Sequence, residues 1–191
     1  MSRVGSDRAT KFELVYSGHF HEIALYVARR VAPDEVDDVV AKVFMVAWRR
    51  LEQLPAPPED RLWLFGVARR CVANHVRSAI RRTRLQSKLE HEDAPARSVS
   101  LSTDPRVDLV VAAMEKLKAL DREALRLVLW DELTQAQAAT VLGCSENAFE
   151  IRYRRARRSV RDAVEGSSQS SPSISATTRD DLPLTRKGAQ P

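Results

Sequence analysis

The stretch from Leu133 to Arg158 constrains the fold more than any other part of the chain, because it reads as two short helices joined by a tight turn. Thr134 followed by Gln137 matches a capping box, in which each side chain bonds a free backbone N–H at a helix start. Gly143 stands where a left-handed residue would end that helix, and Ser145 is suited to cap the next one. This order predicts a helix-turn-helix.

The second helix of this stretch is amphipathic. Its apolar residues recur at three- and four-residue steps: Phe149, Tyr153, Ala156 and Val160. The residues left facing outward are Glu146, Asn147, Glu150, Arg154 and Arg157. In a helix-turn-helix, the outward face of the second helix enters a DNA major groove. A plain helical hairpin with a solvated basic face is the alternative interpretation of the same pattern.

Composition and charge narrow the class of protein. A chain of 191 residues has room for one or two domains, and 43% hydrophobic, 30% charged and 6% aromatic residues suit small helical units. The net charge of +5 and a pI of about 9.5 favour a polyanionic partner. Cys71 and Cys144 lack metal or redox spacing and are predicted to be reduced packing residues. Without a signal-peptide core or a bilayer-length apolar run, we expect a cytoplasmic protein with no membrane insertion.

The first half of the chain predicts three helices. The first is outlined by apolar positions from Phe12 to Val27 and ends before Pro33. The second begins near Asp34, and its buried stripe is Val36, Val39, Val40, Val43, Phe44 and Ala47. After the proline-rich loop Leu54–Glu59, a third helix is predicted with Asp60 as its cap.

This third helix is strongly basic. Seven arginines and no acid lie between Arg61 and Arg84, and Trp63, Phe65 and His75 are interleaved with them. Arginines follow a nucleic-acid backbone while aromatic rings stack on unpaired bases, so this helix is predicted to be a nucleic-acid track. A plain basic surface is the alternative.

The predicted fold is all-α, with two small helical domains joined by a flexible linker. We predict an N-terminal arm over residues 1–11, a first domain over 12–84, a polar linker over 85–105, a helix-turn-helix domain over 106–164 and a disordered tail over 165–191. The second domain begins with a helix from Val107 to Leu117, followed by one that Asp121 would cap.

Three motifs carry a resemblance to a known family. DVVAKVFMVAW (38–48) resembles Asp-Leu-Val-Gln-Glu-Thr-Phe-Leu-x-x-Trp, and WLFGVARR (63–70) resembles Trp-Leu-Tyr-x-Ile-Ala-Arg-Asn. Gly143, Ser145 and RYRRAR (152–157) are similar to a Gly-x-Ser…Arg-x-x-Arg-Ala-Arg ending. From about Phe12 to Val164, the chain is therefore similar to bacterial RNA polymerase sigma factors of the extracytoplasmic-function group (group 4 of the sigma-70 family). These proteins keep only the second and fourth sigma regions.

The resemblance implies a sigma factor that binds core RNA polymerase and directs promoter-specific initiation. The second helix would dock on the clamp helices of the largest subunit, through Asp38, Val39, Lys42, Phe44 and Trp48. The loop Leu54–Glu59 and the third helix would capture unpaired −10 bases, through Trp63, Arg69, Arg70, Asn74, Arg77 and Arg81. The last helix would read the −35 duplex, through Ser145, Glu146, Asn147, Glu150, Arg154, Arg155 and Arg157. The beta flap and an anti-sigma factor are further implied partners, with no cofactor, metal or catalytic residue.

The chain departs from the family pattern at several of these positions. Ala41 and Lys42 replace the usual Gln-Glu, Arg70 a frequent Asn and Asn74 a frequent Asp. Glu150 stands where a Lys is common, and a carboxylate in the groove can accept a hydrogen bond from cytosine N4.

Other classes of protein explain less of the sequence. An ordinary two-domain DNA-binding regulator would account for the C-terminal unit, but not for the acid-rich second helix or the Trp-Leu-Phe helix. An enzyme would need a phosphate-binding loop, a Ser–His–acid set or a His/Cys metal spacing, and none is evident. An anti-sigma or scaffold role would leave the basic helices unexplained.

Overall fold

A computed structural model of the chain describes residues 3–86 and 105–169. These residues form seven α-helices and contain no β-strand, which confirms the all-α prediction. The helices are α1 (Arg3–Ala28), α2 (Val36–Arg49), α3 (Glu59–Gln86), α4 (Pro105–Glu115), α5 (Ala119–Leu129), α6 (Gln135–Leu142) and α7 (Glu146–Gln169). Short 3-10 turns, Pro33–Glu35 and Leu51–Gln53, flank α2. Most of the predicted linker and tail lies outside the described residues.

The N-terminal helix is longer than the sequence predicted. It begins at Arg3, so the segment predicted as an arm belongs largely to α1. Arg8 Nη2 donates to the Trp48 carbonyl at 2.8 Å, and Lys11 Nζ donates to the Leu51 carbonyl at 3.2 Å. These cations bond a carbonyl at the C-terminal end of α2, where a helix lacks internal donors, and one in the 3-10 turn that follows it. Hydrophobic periodicity starts only at Phe12 and therefore could not mark this part of the helix.

The first helical unit, α1–α3, is built around aliphatic side chains from all three helices. Ile23 and Val27 of α1, Val39 and Val43 of α2, and Leu64 of α3 are each at most 1% exposed. The ring of Tyr26 meets that of Phe65 edge to face at 5.3 Å, which joins α1 to α3. The second helix therefore buries the side that its valine pattern predicted.

The second unit, α4–α7, encloses a smaller core. Its fully buried residues include Met114 of α4, Leu125 and Leu127 of α5, Ala138 of α6 and Phe149 of α7. Between α5 and α6, Glu132 adopts a left-handed backbone with φ of 54°, which is unusual for a residue with a side chain. This turn directs Leu133 into the core of its own unit, where it is 2% exposed.

The two units touch each other. The helix α6 packs on α3, and the buried residues of both units form a continuous hydrophobic cluster. Arg29, just after the C-terminal end of α1, also contacts the segment that joins α5 to α6. In this structure the units are therefore one packed body.

Candidate nucleic-acid and polymerase interfaces

The local signals that predicted the helix-turn-helix are present in the structure. The Gln137 N–H donates to Thr134 Oγ1 at 3.2 Å, and the Thr134 N–H donates to Gln137 Oε1 at 2.9 Å. Gly143 ends α6 with φ of 69°, the left-handed conformation that glycine adopts without a Cβ penalty. Ser145 Oγ accepts from the Ala148 N–H at 3.3 Å and so caps α7. The capping box, the glycine turn and the second cap are all confirmed.

One side of α7 is apolar and packs against the core of the second unit. Phe149 and Ala156 are fully buried, Tyr153 is 7% exposed, and the rings of Phe149 and Tyr153 stack at 6.0 Å. Val160 packs at the edge of the same cluster. Because these contacts fix the rotation of α7 about its axis, they decide which side chains face solvent.

Another side of α7, about 100° around the helix from the apolar side, forms what we call the reading face, which consists of Glu146, Asn147, Glu150, Arg154 and Arg157. All five residues are exposed, and they fall within about 100° of arc on a regular helix. Glu150 Oε1 lies 3.7 Å from Arg154 Nη1, one turn further along. Both side chains are more than half exposed, so this ion pair contributes little to stability and leaves both groups available to a partner.

Arg155 does not belong to the reading face, although the sequence placed it there. It lies about 140° around the helix from Glu150, and its Nη2 donates to both carboxylate oxygens of Asp121 at 2.8 Å. Arg152 Nε lies 3.5 Å from the same carboxylate.

Asp121 was predicted to cap α5, but it lies inside that helix and Lys118 occupies the cap position. The carboxylate, 6% exposed, instead ties α5 to α7. Sequence analysis missed this contact because the partners are 34 residues apart.

On α3, five of the six residues predicted to contact unpaired −10 bases share one side of the helix. At about 100° per residue, they occupy about 60° of arc and extend along about 27 Å of the helix. We call this set the arginine stripe; it consists of Trp63, Arg70, Asn74, Arg77 and Arg81. Trp63 is half-buried and the other four are exposed. Arg77 Nη2 donates to Asn74 Oδ1 at 2.7 Å, so these two side chains are aligned along the stripe.

Three other residues of α3 that were predicted to contact nucleic acid lie outside the arginine stripe. Phe65 is fully buried against Tyr26 and cannot stack on a base. His75 Nε2 lies 2.9 Å from Glu35 Oε2, and this hydrogen-bonding partner lowers the pKa of Glu35. Arg69 is half-buried and about 100° away from Arg70. Of the three interleaved aromatic residues, Trp63 alone lies on the arginine stripe.

The start of α3 is tied to α1. The helix begins at Glu59, so Asp60 lies in its first turn and is not the predicted cap. Asp60 Oδ2 lies 3.1 Å from His19 Nε2, and Arg61 makes an ion pair with Glu22. Both partners are on α1, so these contacts fix the end of the proline-rich loop against the first unit.

The exposed side of α2 differs from the polymerase-docking set that the sequence predicted. Val39 is 0% and Phe44 is 4% exposed, so both belong to the core and cannot contact a partner. Asp38 and Lys42 are exposed on the opposite side, together with Met45, which is 48% exposed. We call Asp38, Lys42, Met45 and Arg49 the outer face of α2. Trp48 lies at its edge, 39% exposed and packed on Phe12.

The second unit also has a groove of about 610 Å³ that sequence analysis did not predict. Its floor is apolar and its rim is basic, because α4 and α5 contribute aliphatic side chains while α7 contributes arginines. The aliphatic residues include Val110, Met114, Leu125 and Leu129, and the arginines are Arg154, Arg157, Arg158 and Arg161. Leu129 is 54% exposed. Such a groove suits an amphipathic helix that carries acidic residues.

The described residues contain no cluster of three or more His, Cys, Asp or Glu residues that could hold a metal ion. Burial raises the pKa of the Cys71 thiol, which disfavours the reactive thiolate. In the same part of the chain, no helix combines the length and apolar character needed to cross a membrane.

Comparisons with known proteins agree with this geometry. Residues 108–160 match the family described as sigma-70, region 4. The chain is 34% identical over 154 residues to the "Probable RNA polymerase sigma factor RfaY" of Xanthomonas campestris, covering 74% of this chain and 36% of RfaY. It is 28% identical over 169 residues to the ECF RNA polymerase sigma factor SigL of Mycobacterium tuberculosis, covering 84% and 94% of the two chains.

A solved structure gives the same fold. It is that of CnrH, in complex with the cytosolic domain of CnrY; the TM-score is 0.57 at 23% identity, over 81% of this chain and 88% of CnrH. CnrH of Cupriavidus metallidurans is itself named an RNA polymerase sigma factor. The second unit thus matches sigma-70 region 4, and over both units the chain is similar to RNA polymerase sigma factors of the extracytoplasmic-function group.

Proposed function

We propose that this protein is a sigma factor that binds core RNA polymerase and directs promoter-specific initiation in the cytoplasm, on the nucleoid. In this proposal, α7 reads the −35 duplex and α3 captures unpaired −10 bases. The observation that carries it is the presence of two separate exposed faces that bear arginines, the arginine stripe on the first unit and the reading face on the second. In this proposal, initiation requires no bond-making by this subunit.

The reading face of α7 has the chemistry needed for duplex recognition. Asn147 and Arg154 are residue types that bond adenine and guanine edges, and Glu150 can accept from cytosine N4. Ser145, at the cap, lies beside the backbone N–H groups of the helix start, which favour a phosphate. Asp121 holds Arg155 and Arg152 on the other side and so keeps α7 rigidly oriented.

The arginine stripe of α3 has the chemistry needed for single strands. Its four polar side chains form a track along the backbone of an unpaired strand, and Trp63 offers a partly exposed ring for base stacking. Unpairing costs a few kcal/mol, so opening a promoter requires such contacts to the unpaired strand. The loop Leu54–Glu59 precedes Trp63 and is fixed to α1 through Asp60, which supports a role for this loop beside the same strand.

Replacing Arg77 with Ala should reduce opening on every promoter. A lost charged contact to phosphate costs on the order of 1.5 kcal/mol, so the yield of open complex should fall about tenfold. The slope of log affinity against log salt should become shallower by about 0.7, as for one single-strand phosphate contact. Permanganate footprinting at several salt concentrations measures both effects.

Arg82→Ala is the matched control, because Arg82 is exposed on the same helix but lies about 140° away from Arg77. It should leave opening nearly unchanged. Equal losses for the two variants would mean that general positive charge, and not the stripe, supports opening.

For core polymerase, we propose two docking surfaces. The outer face of α2 offers Asp38, Lys42, Arg49 and the apolar Met45 to the clamp helices of the largest subunit. The apolar groove of the second unit fits a helix of the beta flap. Val39 and Phe44 support the first surface from beneath, because they fix α2 in the core.

Asp38→Arg should weaken binding to core polymerase about tenfold, since it reverses the charge at the centre of the outer face. Asp38 is exposed, so the fold should be unaffected. Binding is measured by fluorescence anisotropy of the labelled chain with purified core enzyme. Asp37→Arg is the control, because it makes the same substitution in the same helical turn about 100° away. If Asp38→Arg binds core enzyme as tightly as the parent, the docking assignment is wrong.

We also propose that an anti-sigma factor binds this chain. The similar structure of CnrH contains a second protein, the cytosolic domain of CnrY, and this supports a protein partner for this chain as well. The exposed aromatic residues beside the outer face of α2, Tyr16, Phe20 and Trp48, are suited to such a contact.

The experiment that tests the proposed function is run-off transcription on genomic fragments with purified core polymerase. A sigma factor should give discrete promoter-specific transcripts and bind promoter DNA well only with core enzyme. A simple DNA-binding regulator would instead shift the same DNA equally well by itself. Binding without core enzyme, together with no transcripts, would contradict the proposal.

A further inference from the structure

The groove of the second unit carries positive charge that its own carboxylates do not compensate. Four arginines of α7 line it, together with one carboxylate, Glu165. Glu165 and Glu150 each pair with one of these arginines, at 3.9 and 3.7 Å. Within the part of the chain that the structure describes, the other two, Arg157 and Arg158, make no ion pair. The groove therefore has unpaired cations at its edge.

The floor of the groove is apolar and partly exposed. Met114 and Leu125 are buried there, whereas Leu129 is 54% exposed. The lining residues of α7 run from Arg154 to Glu165, about 17 Å along the helix axis. An occupant that fits is therefore narrow, with apolar side chains toward the floor and acidic side chains toward the arginines.

The chain itself contains such a segment shortly after α7. Residues 170–191 lie outside the described residues, and among them stands RDDLPLTRK (179–187), which we call the tail segment. Pro183 disfavours a helix there and favours an extended backbone for the residue before it. Side chains two positions apart in an extended chain lie on the same side, so Leu182 and Leu184 can both face one surface.

The basic ends of the tail segment match two carboxylates of α7 if the two run antiparallel. Arg179 and Arg186 are about 23 Å apart in an extended chain. Glu165 and Glu150 are about 22 Å apart along α7 and fall within about 60° of arc on one side of the helix. One extended segment can therefore pair both of its ends with α7 at once.

In the same register, the middle of the tail segment matches the groove. Asp180 and Asp181 lie about 3 and 7 Å beyond the first pair of charges. On α7, Arg161 and Arg158 lie about 6 and 10 Å beyond that pair, within reach of the two aspartates. The two leucines follow at about 10 and 17 Å, over the aliphatic floor. The order of acidic, apolar and basic residues thus complements the order along α7.

We propose that the tail segment docks in the groove of its own chain, antiparallel to α7. In this arrangement its two leucines lie on the aliphatic floor and its two aspartates pair with arginines of the rim. The connection is long enough, because the chain between Gln169 and Asp180 spans up to about 36 Å, while Glu165 lies only about 6 Å before the end of α7. A short tether gives a local concentration on the order of millimolar, which makes even a weak contact effective.

Docking would cover part of the reading face. Arg154 and Arg157 belong to the groove as well as to the reading face, and Glu150 would pair with Arg186. Duplex DNA and the tail segment would therefore compete for α7, and a helix of the beta flap would compete with it for the groove. These consequences rest on the proposed function, whereas the docking itself does not.

The test is nuclear magnetic resonance of the full-length chain with isotope-labelled methyl groups. In the parent, nuclear Overhauser contacts should connect the two leucines of the tail segment to Leu129 and Val110. Asp180→Asn combined with Asp181→Asn removes two exposed ion pairs, each worth up to about fivefold in an equilibrium. The ratio of docked to undocked molecules should then fall about tenfold and the contacts should weaken accordingly. Without polymerase, affinity for −35 duplex DNA should rise at least about twofold, because more molecules are competent to bind.

Two further variants separate the register from general charge. Ser173→Lys combined with Ser175→Lys is the matched control, because it changes the net charge by the same amount in the same tail but outside the tail segment. It should keep the contacts of the parent. Arg158→Glu should weaken them, and Arg158→Glu combined with Asp181→Lys should restore them, since the pair of charges is then exchanged.

The absence of these contacts in the parent, or contacts that the two Asn substitutions leave unchanged, would overturn the docking. Contacts that weaken on dilution would come from a second copy of the chain and would overturn it equally. Each of these outcomes leaves the proposed function standing, because the spectra involve no DNA or polymerase. If the tail segment docks but parent and variants all fail to direct run-off transcription, the docking is real and the proposed function is wrong.

Discussion

Phe149→Ala is expected to lower the free energy of unfolding of the α4–α7 unit by about 3–5 kcal/mol, the usual cost of removing a buried aromatic ring. Phe149 is 0% exposed, stacks on Tyr153 and lies where α7 meets the rest of its unit. Small domains are stable by only about 5–15 kcal/mol, so most of the stability of this unit would be lost. Urea denaturation followed by circular dichroism measures the change.

The control for this variant is Ile151→Ala, two residues further along the same helix. Ile151 is 53% exposed, so the substitution should change the free energy of unfolding by less than about 0.5 kcal/mol. Transcription from −35-dependent promoters should fall with Phe149→Ala and persist with Ile151→Ala. If Phe149→Ala costs less than about 1 kcal/mol, Phe149 does not anchor the buried side of α7, and the reading face would have to be reassigned.

Glu150→Lys should change which −35 sequences are used without altering the preference at −10. Glu150 is exposed at the centre of the reading face, and its carboxylate forms an ion pair with Arg154. A lysine would replace an acceptor for cytosine with a donor for guanine, and such a contact discriminates by about 1–3 kcal/mol at its own base pair. Transcription from a promoter library randomised separately at each element measures both preferences.

Asp162→Lys introduces a lysine on the same helix, about 18 Å beyond Glu150, at an exposed position outside the groove. Base contacts are made by the N-terminal residues of a recognition helix, so this control should leave −35 choice unchanged. A shift in −10 choice by Glu150→Lys, or an unchanged −35 preference, would place the recognition helix elsewhere. Equal shifts in the two variants would indicate a general effect of positive charge.

Local features of the sequence predicted the helix-turn-helix well. A capping box, a left-handed glycine and a serine cap involve residues within four positions of one another, so their geometry is encoded in a short stretch. The same holds for the apolar side of α7, whose spacing alone identifies the buried residues. Once the buried residues of α7 are known, the exposed residues that remain define the reading face. Arg155 was also predicted to read DNA, but it lies elsewhere and bonds Asp121.

Residue type alone was a weaker guide to the site. Phe65 lies among arginines in sequence and was assigned to the nucleic-acid track, yet its ring is buried against Tyr26. Val39 and Phe44 were assigned both to a core and to a docking surface, and the structure places them in the core. An apolar or aromatic side chain can serve either purpose, and only the packing of α1 against α2 and α3 decides between them.

For charged residues too, residue type suggested one role and the tertiary structure shows another, because the bonding partners are far apart along the chain. Asp121 and Asp60 are good helix caps by type and position, but each lies inside its helix and bonds a side chain on another one. The Arg30–Asp131 pair, 101 residues apart, has no signature in the sequence at all. The sequence by itself therefore determined the helices, their buried sides and the basic character of α3 and α7, because these depend on contacts within a few turns. Only the tertiary structure decided which charges face DNA and which join the two units, because an ion pair forms wherever folding brings opposite charges together, at any distance along the chain.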